Sequence, residues 1–387
     1  MPGDKYQRLP QSGRGMEVTA MSTVKKGYLI LEDGHVFEGA LMEGSKNSSG
    51  EVVFNTSAFG YEQILTDPSY AGQIVVMTYP LIGNYGVSSR LLEADRPWVK
   101  GFVVRGLNIG EHYEKEEELK EFLQKNQLAC ISGIDTRALT RLIRNKGTMG
   151  GLISDTLDDL EDLIRRARAV VPPPEGFVRQ VSRKDVATLG SGDKRIVLVD
   201  YGTKKSIASS IVGRGCELII VPADTPAHEI MQISPDGLVL SNGPGDPAEC
   251  DYAIKAVKEL IGSMPILGIC LGHQILSLAL GANTRKMVFG HRGSNHPVKD
   301  MRTGKIYITA QNHGYVADES SLAGRGVDVL FKNLNDGTVE GIIHRELPIM
   351  SVQFHPEASP GPIDTAYILD DFIESIKGNT NIFLDCG

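Results

Sequence analysis

Gly268-Ile-Cys270-Leu-Gly272 places a cysteine between two glycines at the spacing of a nucleophile elbow, G-x-S-x-G with sulfur in place of oxygen. An apolar run, Pro265 to Ile269, leads in as a strand, and Gly272 to Leu280 leads out as a helix. The residue at such a turn sits in a strained backbone conformation, and flanking glycines leave room where a Cβ would clash. A sulfur there faces a helix N-terminus, which favours negative charge. A lone cysteine is more often a buried packing residue. The elbow therefore needs partners to carry chemistry.

Val352-Gln-Phe-His355-Pro-Glu357 supplies them. Ile349 to Phe354 reads as a strand, so His355 falls at its exit with Glu357 two residues on. A cysteine nucleophile needs a base to take its proton, and the base needs a carboxylate to hold its tautomer. Among the other histidines, His228 and His344 read as solvated, and His35 and His112 belong to the other half of the chain. His313, in the polar stretch Thr309 to Tyr315, competes as a base but has no carboxylate two residues away. That stretch would be odd as a core strand and reads as a pocket wall.

Leu240-Ser-Asn-Gly243-Pro-Gly245-Asp-Pro247 follows another strand. It reads either as a plain turn or as a rigid loop whose N–H groups, with that of Leu271, stabilise an oxyanion. It lacks the G-K-[ST] of a P-loop and is not G-x-G-x-x-G. His291 and His296 lie five apart, but no cysteine or acidic residue accompanies them at ligand spacing, so no metal is expected.

The elements that must position these residues fall into two halves. From Lys26 the chain alternates in short strand-like pieces, Tyr28 to Leu31, Val36 to Glu38 and Glu51 to Asn55, with Asp33-Gly34 as a hairpin turn. Helices are predicted over Lys115 to Asn126, Thr136 to Asn145 and Thr156 to Ala169 before three prolines, Pro172 to Pro174, stiffen a connector. Beyond it, buried runs at Ile196 to Val199, Leu218 to Val221, Gly237 to Leu240 and Ile266 to Ile269 alternate with helices at Lys204 to Arg214, Pro226 to Ile233 and Tyr252 to Ile261. That rhythm means βαβ units and a parallel sheet, with its site at the carboxyl ends of the strands. The fold class is α/β. A strand-rich mixed domain over residues 26–175 is joined by a linker, 176–193, to a mostly parallel α/β domain over 194–380. Residues 1–25 and 381–387 read as tails.

At 387 residues, 41% hydrophobic and 23% charged, the chain can bury two cores. Its net charge of -8 and the lack of a basic, aromatic-interleaved run argue against a nucleic-acid partner. Five cysteines without a C-x-x-C pair suit a reducing cytoplasm. The polar N-terminus lacks an apolar signal core. Met264 to Ala282 is too interrupted for a membrane span.

Taken together, N-G-P-G-D-P, G-I-C-L-G-H-Q and F-H-P-E resemble the class I glutamine amidotransferases, whose domain is a flavodoxin-like α/β fold with a Cys-His-Glu triad. In the first half, Gly60-Tyr-Glu-Gln-Ile-Leu-Thr-Asp-Pro-Ser-Tyr70, Tyr79-Pro-Leu-Ile-Gly-Asn84 and Ile134-Asp-Thr-Arg-Ala-Leu-Thr-Arg141 resemble the carbamoyl-phosphate synthetase small-subunit family. The resemblance implies that Cys270 attacks the side-chain amide of glutamine, that His355 shuttles the proton and that Glu357 orients it. It implies an oxyanion held by the N–H groups of Gly243 and Leu271. Ser69, Gly245, Gln274, Asn312, Gly314 and Tyr315 would line the glutamine pocket. It also implies a large-subunit partner in a cytoplasmic heterodimer, docked by the first domain. That partner would receive ammonia and carry the ATP, magnesium and bicarbonate chemistry that serves arginine and pyrimidine synthesis. This chain would need no cofactor of its own. Tyr315 stands where phenylalanine is also common, and Cys250, near the glycine loop, reads as packing. A non-catalytic docking or regulatory subunit is the alternative, disfavoured because all three catalytic residues are present. A free-standing thiol hydrolase leaves the first domain unexplained.

Overall fold

The computed structural model describes residues 25–378 apart from 111 and 171, so both expected tails lie essentially outside the described residues. In the first half, seven strands close into a barrel: β1 (Lys26–Leu31), β2 (Val36–Leu41), β3 (Ser48–Asn55), β4 (Gln73–Met77), β5 (Gly101–Val103), β6 (Ala129–Ser132) and β7 (Met149–Ser154). Their order is β1-β2-β6-β5-β4-β3-β7, with β7 returning to β1. Gly34, in left-handed conformation at φ 91°, makes the β1–β2 hairpin turn. Closure removes free edges, which short strands alternating with loops do not announce. Around the barrel lie α1 (Tyr61–Thr66), α2 (Leu119–Lys125), α3 (Thr136–Lys146) and α4 (Leu160–Arg168).

Two of these helices begin later than their sequence patterns suggest. The α2 helix starts after Glu118, whose side chain accepts from the N–H of Glu121 while the Glu121 carboxylate accepts from Glu118 N–H. That capping box fixes the start and leaves Lys115 to Glu117 outside the helix. The α4 helix starts after Asp159, which caps Asp162 N–H.

The stretch read as a linker folds as α5 (Gly176–Val181) and β8 (Ala187–Leu189). The second half continues with β9 (Arg195–Asp200), α6 (Lys205–Val212), β10 (Glu217–Pro222), α7 (Ala227–Gln232), β11 (Gly237–Leu240), α8 (Asp251–Leu260), β12 (Ile266–Ile269) and α9 (Leu271–Ala279). It ends with β13 (Thr284–Asp300), β14 (Ile306–Ala317), β15 (Val327–Asn333), β16 (Val339–His344), β17 (Ile349–Val352) and α10 (Tyr367–Ile376). Strands β17-β12-β11-β9-β10 are parallel and form the centre of one sheet. This centre is the α/β sheet that the strand–helix alternation predicts. Antiparallel strands extend it on both sides, with β8 beyond β10 and β16-β15-β13-β14 beyond β17. Apolar layers pack on both faces of the parallel centre, which keeps its strands rigid.

The long β13–β14 hairpin connects the sheet to the barrel. Arg292 O accepts from Thr56 N–H at 3.1 Å, and Lys286 Nζ reaches Glu51 of β3 at 2.8 Å. The carboxyl ends of β9, β11, β12 and β17 thus face the barrel loops that follow β3 and α1.

Candidate active site

Cys270 joins β12 to α9 in a left-handed conformation, φ 54° and ψ −104°, that few non-glycine residues adopt. Its N–H donates to Val352 O at 2.8 Å, tying the elbow to β17. The flanking glycines are steric requirements. A Cβ on Gly268 would lie 2.8 Å from Gly272 O, and one on Gly272 would lie 2.1 Å from Leu240 O. The Sγ is buried and points at Asn312 O, 3.5 Å away on β14.

His355 follows β17 and is pinned by its N–H to Ala310 O at 3.0 Å. Its Nδ1 donates to Glu357 Oε1 at 2.7 Å. That commits the tautomer and leaves Nε2, buried and without a hydrogen-bond partner, to act on a proton. Burial opposes a charge on His355, yet Glu357 outweighs it and holds the ring well above its ordinary value. Burial likewise opposes charge on Glu357, but Lys204 and His355 keep its carboxyl well below the usual range.

Lys204 was not singled out by sequence. It caps the start of α6, just past the carboxyl end of β9, and is 2% exposed. Its Nζ donates to Glu357 Oε1 at 2.7 Å and to Ser359 O, and faces Glu93 Oε1 of the barrel half at 3.7 Å. The carboxylate that orients His355 is therefore itself held by a buried cation. The one available signal was its place at a parallel strand's end, where such sites gather.

The glycine loop has equally little freedom. A Cβ on Gly243 would meet Tyr201 O at 2.3 Å, and Gly245 is left-handed at φ 91°. Asn242 Nδ2 donates to Ser69 Oγ at 2.8 Å, and Asn312 Nδ2 donates to Asp67 Oδ2 at 2.9 Å. Ser69 and Asp67 come from the short turn after α1, so the barrel completes the pocket wall. Gln274, on α9, spans to Tyr315 O at 2.8 Å and Gln353 Oε1 at 3.0 Å. Burial, with the Asp246 carboxylate adding to it, holds the Tyr315 hydroxyl above its ordinary value.

A cavity of about 330 Å³ is lined by Cys270, Ser69, Gly243, Gly245, Gln274, Asn312, Gly314 and Tyr315, with Phe177 of α5 also on its wall. Leu271, His355 and Glu357 are not part of that lining. Leu271 begins α9, and His355 lines a second, smaller cavity on the barrel side.

The remaining histidines separate cleanly. His313 has both ring nitrogens engaged, Nδ1 with Tyr315 O at 2.8 Å and Nε2 with Gln311 Oε1 at 2.9 Å. Burial holds it neutral, well below its ordinary value. His228 is exposed, whereas His344 is half-buried and its Nδ1 accepts from the N–H groups of Glu346 and Leu347. Cys250 packs in the apolar layer under the loop.

His291 does acquire acidic neighbours, from far along the chain. Nε2 meets Asp336 Oδ2 at 2.9 Å and Nδ1 meets Glu340 Oε1 at 3.2 Å, across separations of 45 and 49 residues. His291, His313 and Glu340 bring ligand-type atoms within 4.8 Å of one another. Gln311 and Asn333 already donate to Glu340, so the cluster is a satisfied ion-pair network.

Burial opposes the His291 charge, but Asp336 and Glu340 raise the ring from 6.5 to about 9. A raised value stabilises the fold fully below pH 6.5 and loses that contribution as pH rises through 9. The expected size is about 2 kcal/mol after discounting for the half-open Asp336 side. Thermal melts of the wild type from pH 6.5 to 9 should fall more steeply than those of His291→Gln. Parallel curves would remove the network from the stability account.

Comparison with known families agrees with this geometry. Residues 197–375 match the family model "Glutamine amidotransferase class-I", and residues 29–153 match "Carbamoyl-phosphate synthase small chain, CPSase domain". The second half is thus a class I glutamine amidotransferase domain. The chain is 46% identical over 352 residues to the carbamoyl phosphate synthase arginine-specific small chain of Bacillus subtilis, covering 91% of this chain and 97% of that one. It is also 46% identical to the pyrimidine-specific small chain of Halalkalibacterium halodurans, over 92% and 98%, and 48% identical to the small chain of Bacillus caldolyticus, over 91% and 97%. The chain belongs to the carbamoyl-phosphate synthase small-chain family. Relatives named for arginine and for pyrimidine stand equally near.

Proposed function

We propose that this chain is the glutamine-hydrolysing subunit of a carbamoyl-phosphate synthase, with Cys270, His355 and Glu357 as its catalytic residues. The observation that supports this most is the His355 ring, fixed by Glu357 at 2.7 Å and with the Cys270 side chain among the groups that act on it, beside the strained Cys270 elbow. His355 holds on Nε2 the proton that the sulfur has given up as Sγ attacks the side-chain amide carbon of glutamine. The N–H groups of Gly243 and Leu271 hold the resulting oxyanion. His355 returns the proton to the departing nitrogen, ammonia leaves, and a γ-glutamyl thioester remains. Water, deprotonated by His355, attacks the thioester; glutamate departs and the thiol is restored.

The space beyond His355 suits the departing ammonia. The second cavity, about 20 Å³, lies behind His355 and Asn312 and is walled by Asn55, Ser57, Tyr70 and Pro360. That space holds one water-sized molecule. A large subunit would receive the ammonia, with ATP, magnesium and bicarbonate bound there, and this chain would carry no cofactor. Exposed apolar side chains on the barrel half, including Ile109 (80%), Tyr113 (88%), Phe59 and Leu81, suit a docking face in a heterodimer. The product would serve arginine or pyrimidine synthesis in the cytoplasm. No helix among the described residues is long and apolar enough to cross a membrane.

Mixing the purified chain with the large subunit from its own genome is expected to give a stable complex that makes carbamoyl phosphate from glutamine. Failure to associate, or glutamine hydrolysis unchanged by the partner, would contradict the assignment.

A further inference from the structure

Buried charges in proteins are paired or bind something, because an isolated ion forfeits its hydration. Arg292, on β13, is 4% exposed and lines the cavity that holds Cys270. Among the described residues its side chain makes one hydrogen bond, Nη1 to Phe289 O at 2.8 Å. Nε is buried with no partner, and among the described residues no carboxylate lies within 4.0 Å of the guanidinium. The adjacent anion, Glu51, is already engaged by Lys286 at 2.8 Å, Thr148 at 2.8 Å and Gln73 at 3.0 Å.

The space around this side chain is kept open by glycines. A Cβ on Gly290 would lie 2.5 Å from Nη1, and one on Gly314 would lie 3.3 Å from Nη2. Gly314 belongs to the stretch of β14 that walls the pocket. The other cations on the cavity lining, Lys286 and Arg168, are exposed, so Arg292 is its one buried cation among the described residues. Asp246 and Glu249 line the same cavity from the glycine loop. The cavity therefore offers both signs of charge that a zwitterionic amino acid presents.

We infer that Arg292 is the counter-charge for the α-carboxylate of the bound substrate, and so a residue that selects a free amino acid over an uncharged amide. This rests on the glutaminase reading. The guanidinium carries the charge that matches a carboxylate, and Nη2, beside Gly314 of the pocket wall, is its donor toward the cavity, since Nη1 is held by Phe289 O and Nε is closed off. Ser69 and the glycine loop shape the pocket for the same end of the substrate but carry no positive charge.

The test uses the complex with its large subunit. KM and kcat are measured for L-glutamine and for L-glutaminamide, whose α-carboxyl is an uncharged amide. The wild type should favour glutamine by about 30-fold in KM, as one charge-assisted hydrogen bond in a buried pocket implies. Arg292→Gln should raise the glutamine KM by a similar factor, leave kcat within about threefold, and erase the preference over glutaminamide. Inhibition by the product, glutamate, should weaken in parallel. Alkylation of Cys270 by neutral iodoacetamide should keep its pH profile. A wild-type KM in Arg292→Gln overturns the inference, as does an alkylation profile that shifts while KM stays constant, since the charge would then serve the sulfur. If Arg292→Gln does not fold, the wild-type comparison decides alone: equal KM for glutamine and glutaminamide overturns the inference. A wild-type complex that hydrolyses no glutamine at all would instead overturn the glutaminase reading beneath it.

Discussion

Cys270→Ala is expected to lower glutamine-dependent carbamoyl-phosphate synthesis by about a thousandfold or more, while synthesis from added ammonia by the same complex persists. Among the described residues no other cysteine lines the cavity. Cys250, the nearest cysteine in sequence, is packed in the apolar layer, and burial pushes its thiol up to about 11. Alanine is tolerated sterically at the elbow, because the close approaches there involve Gly268 and Gly272. The folded complex should therefore survive, and the retained ammonia-dependent rate reports that directly. Coupled assays with each nitrogen donor, run on one preparation, separate loss of hydrolysis from loss of structure. A variant that still used glutamine at the wild-type rate would remove Cys270 from the mechanism.

Lys204→Met is expected to produce the largest loss of stability, about 3–5 kcal/mol, because it strands a buried carboxylate. Lys204 is the cation that Glu357 and Glu93 share in a region with almost no solvent access. Burial alone would pull its own value down, yet Glu357 and Glu93 outweigh that and hold the ammonium charged. Removing it leaves Glu357 Oε1 bound to His355 alone, with Oε2 already unpartnered. His355 would then hold its proton more tightly and donate it more reluctantly to the leaving nitrogen. A further consequence concerns the joint between the halves. Glu93 accepts from Ser206 N–H at 3.0 Å, and its own N–H donates to Thr66 Oγ1 at 2.9 Å, so the Lys204 site ties the sheet to the barrel. Urea titration followed by tryptophan fluorescence checks this, since the one tryptophan, Trp98, donates its backbone N–H to Leu65 O at 2.9 Å in the barrel half. Stability within about 0.5 kcal/mol of the wild type would mean that the buried pair contributes nothing net.

Why Cys270, His355 and Glu357 stand out in the sequence and the residues around them do not follows from where each lies. Cys270, His355 and Glu357 each sit in a short contiguous motif at the end of an apolar strand run, and local pattern is enough to read such motifs. The parallel centre of the sheet was legible for the same reason, because strands buried on both faces are continuous apolar runs. Lys204, Asp67, Asn242 and Glu93 act through partners more than a hundred residues away, as in the Lys204–Glu357 bond across 153 positions. No spacing rule encodes such meetings. Asp336 and Glu340 reach His291 by the same kind of long return. Arg292 was hidden in a segment whose histidines drew attention, since an arginine between His and Gly has no pattern of its own. Barrel closure was also invisible, because it depends on β7 pairing with both β1 and β3.

The central claim is a covalent bond between glutamine's side chain and Cys270, so its most direct test is to trap that bond. The complex is mixed with L-glutamine, quenched in acid during steady turnover, and digested for peptide mass spectrometry. A γ-glutamyl adduct is expected on the peptide carrying Cys270, and on no other cysteine peptide. It should accumulate further in a Glu357→Gln variant if the weakened base slows attack by water more than attack by sulfur. An adduct on Cys250, or glutamine turnover with no adduct on Cys270 at any quench time, would contradict the account.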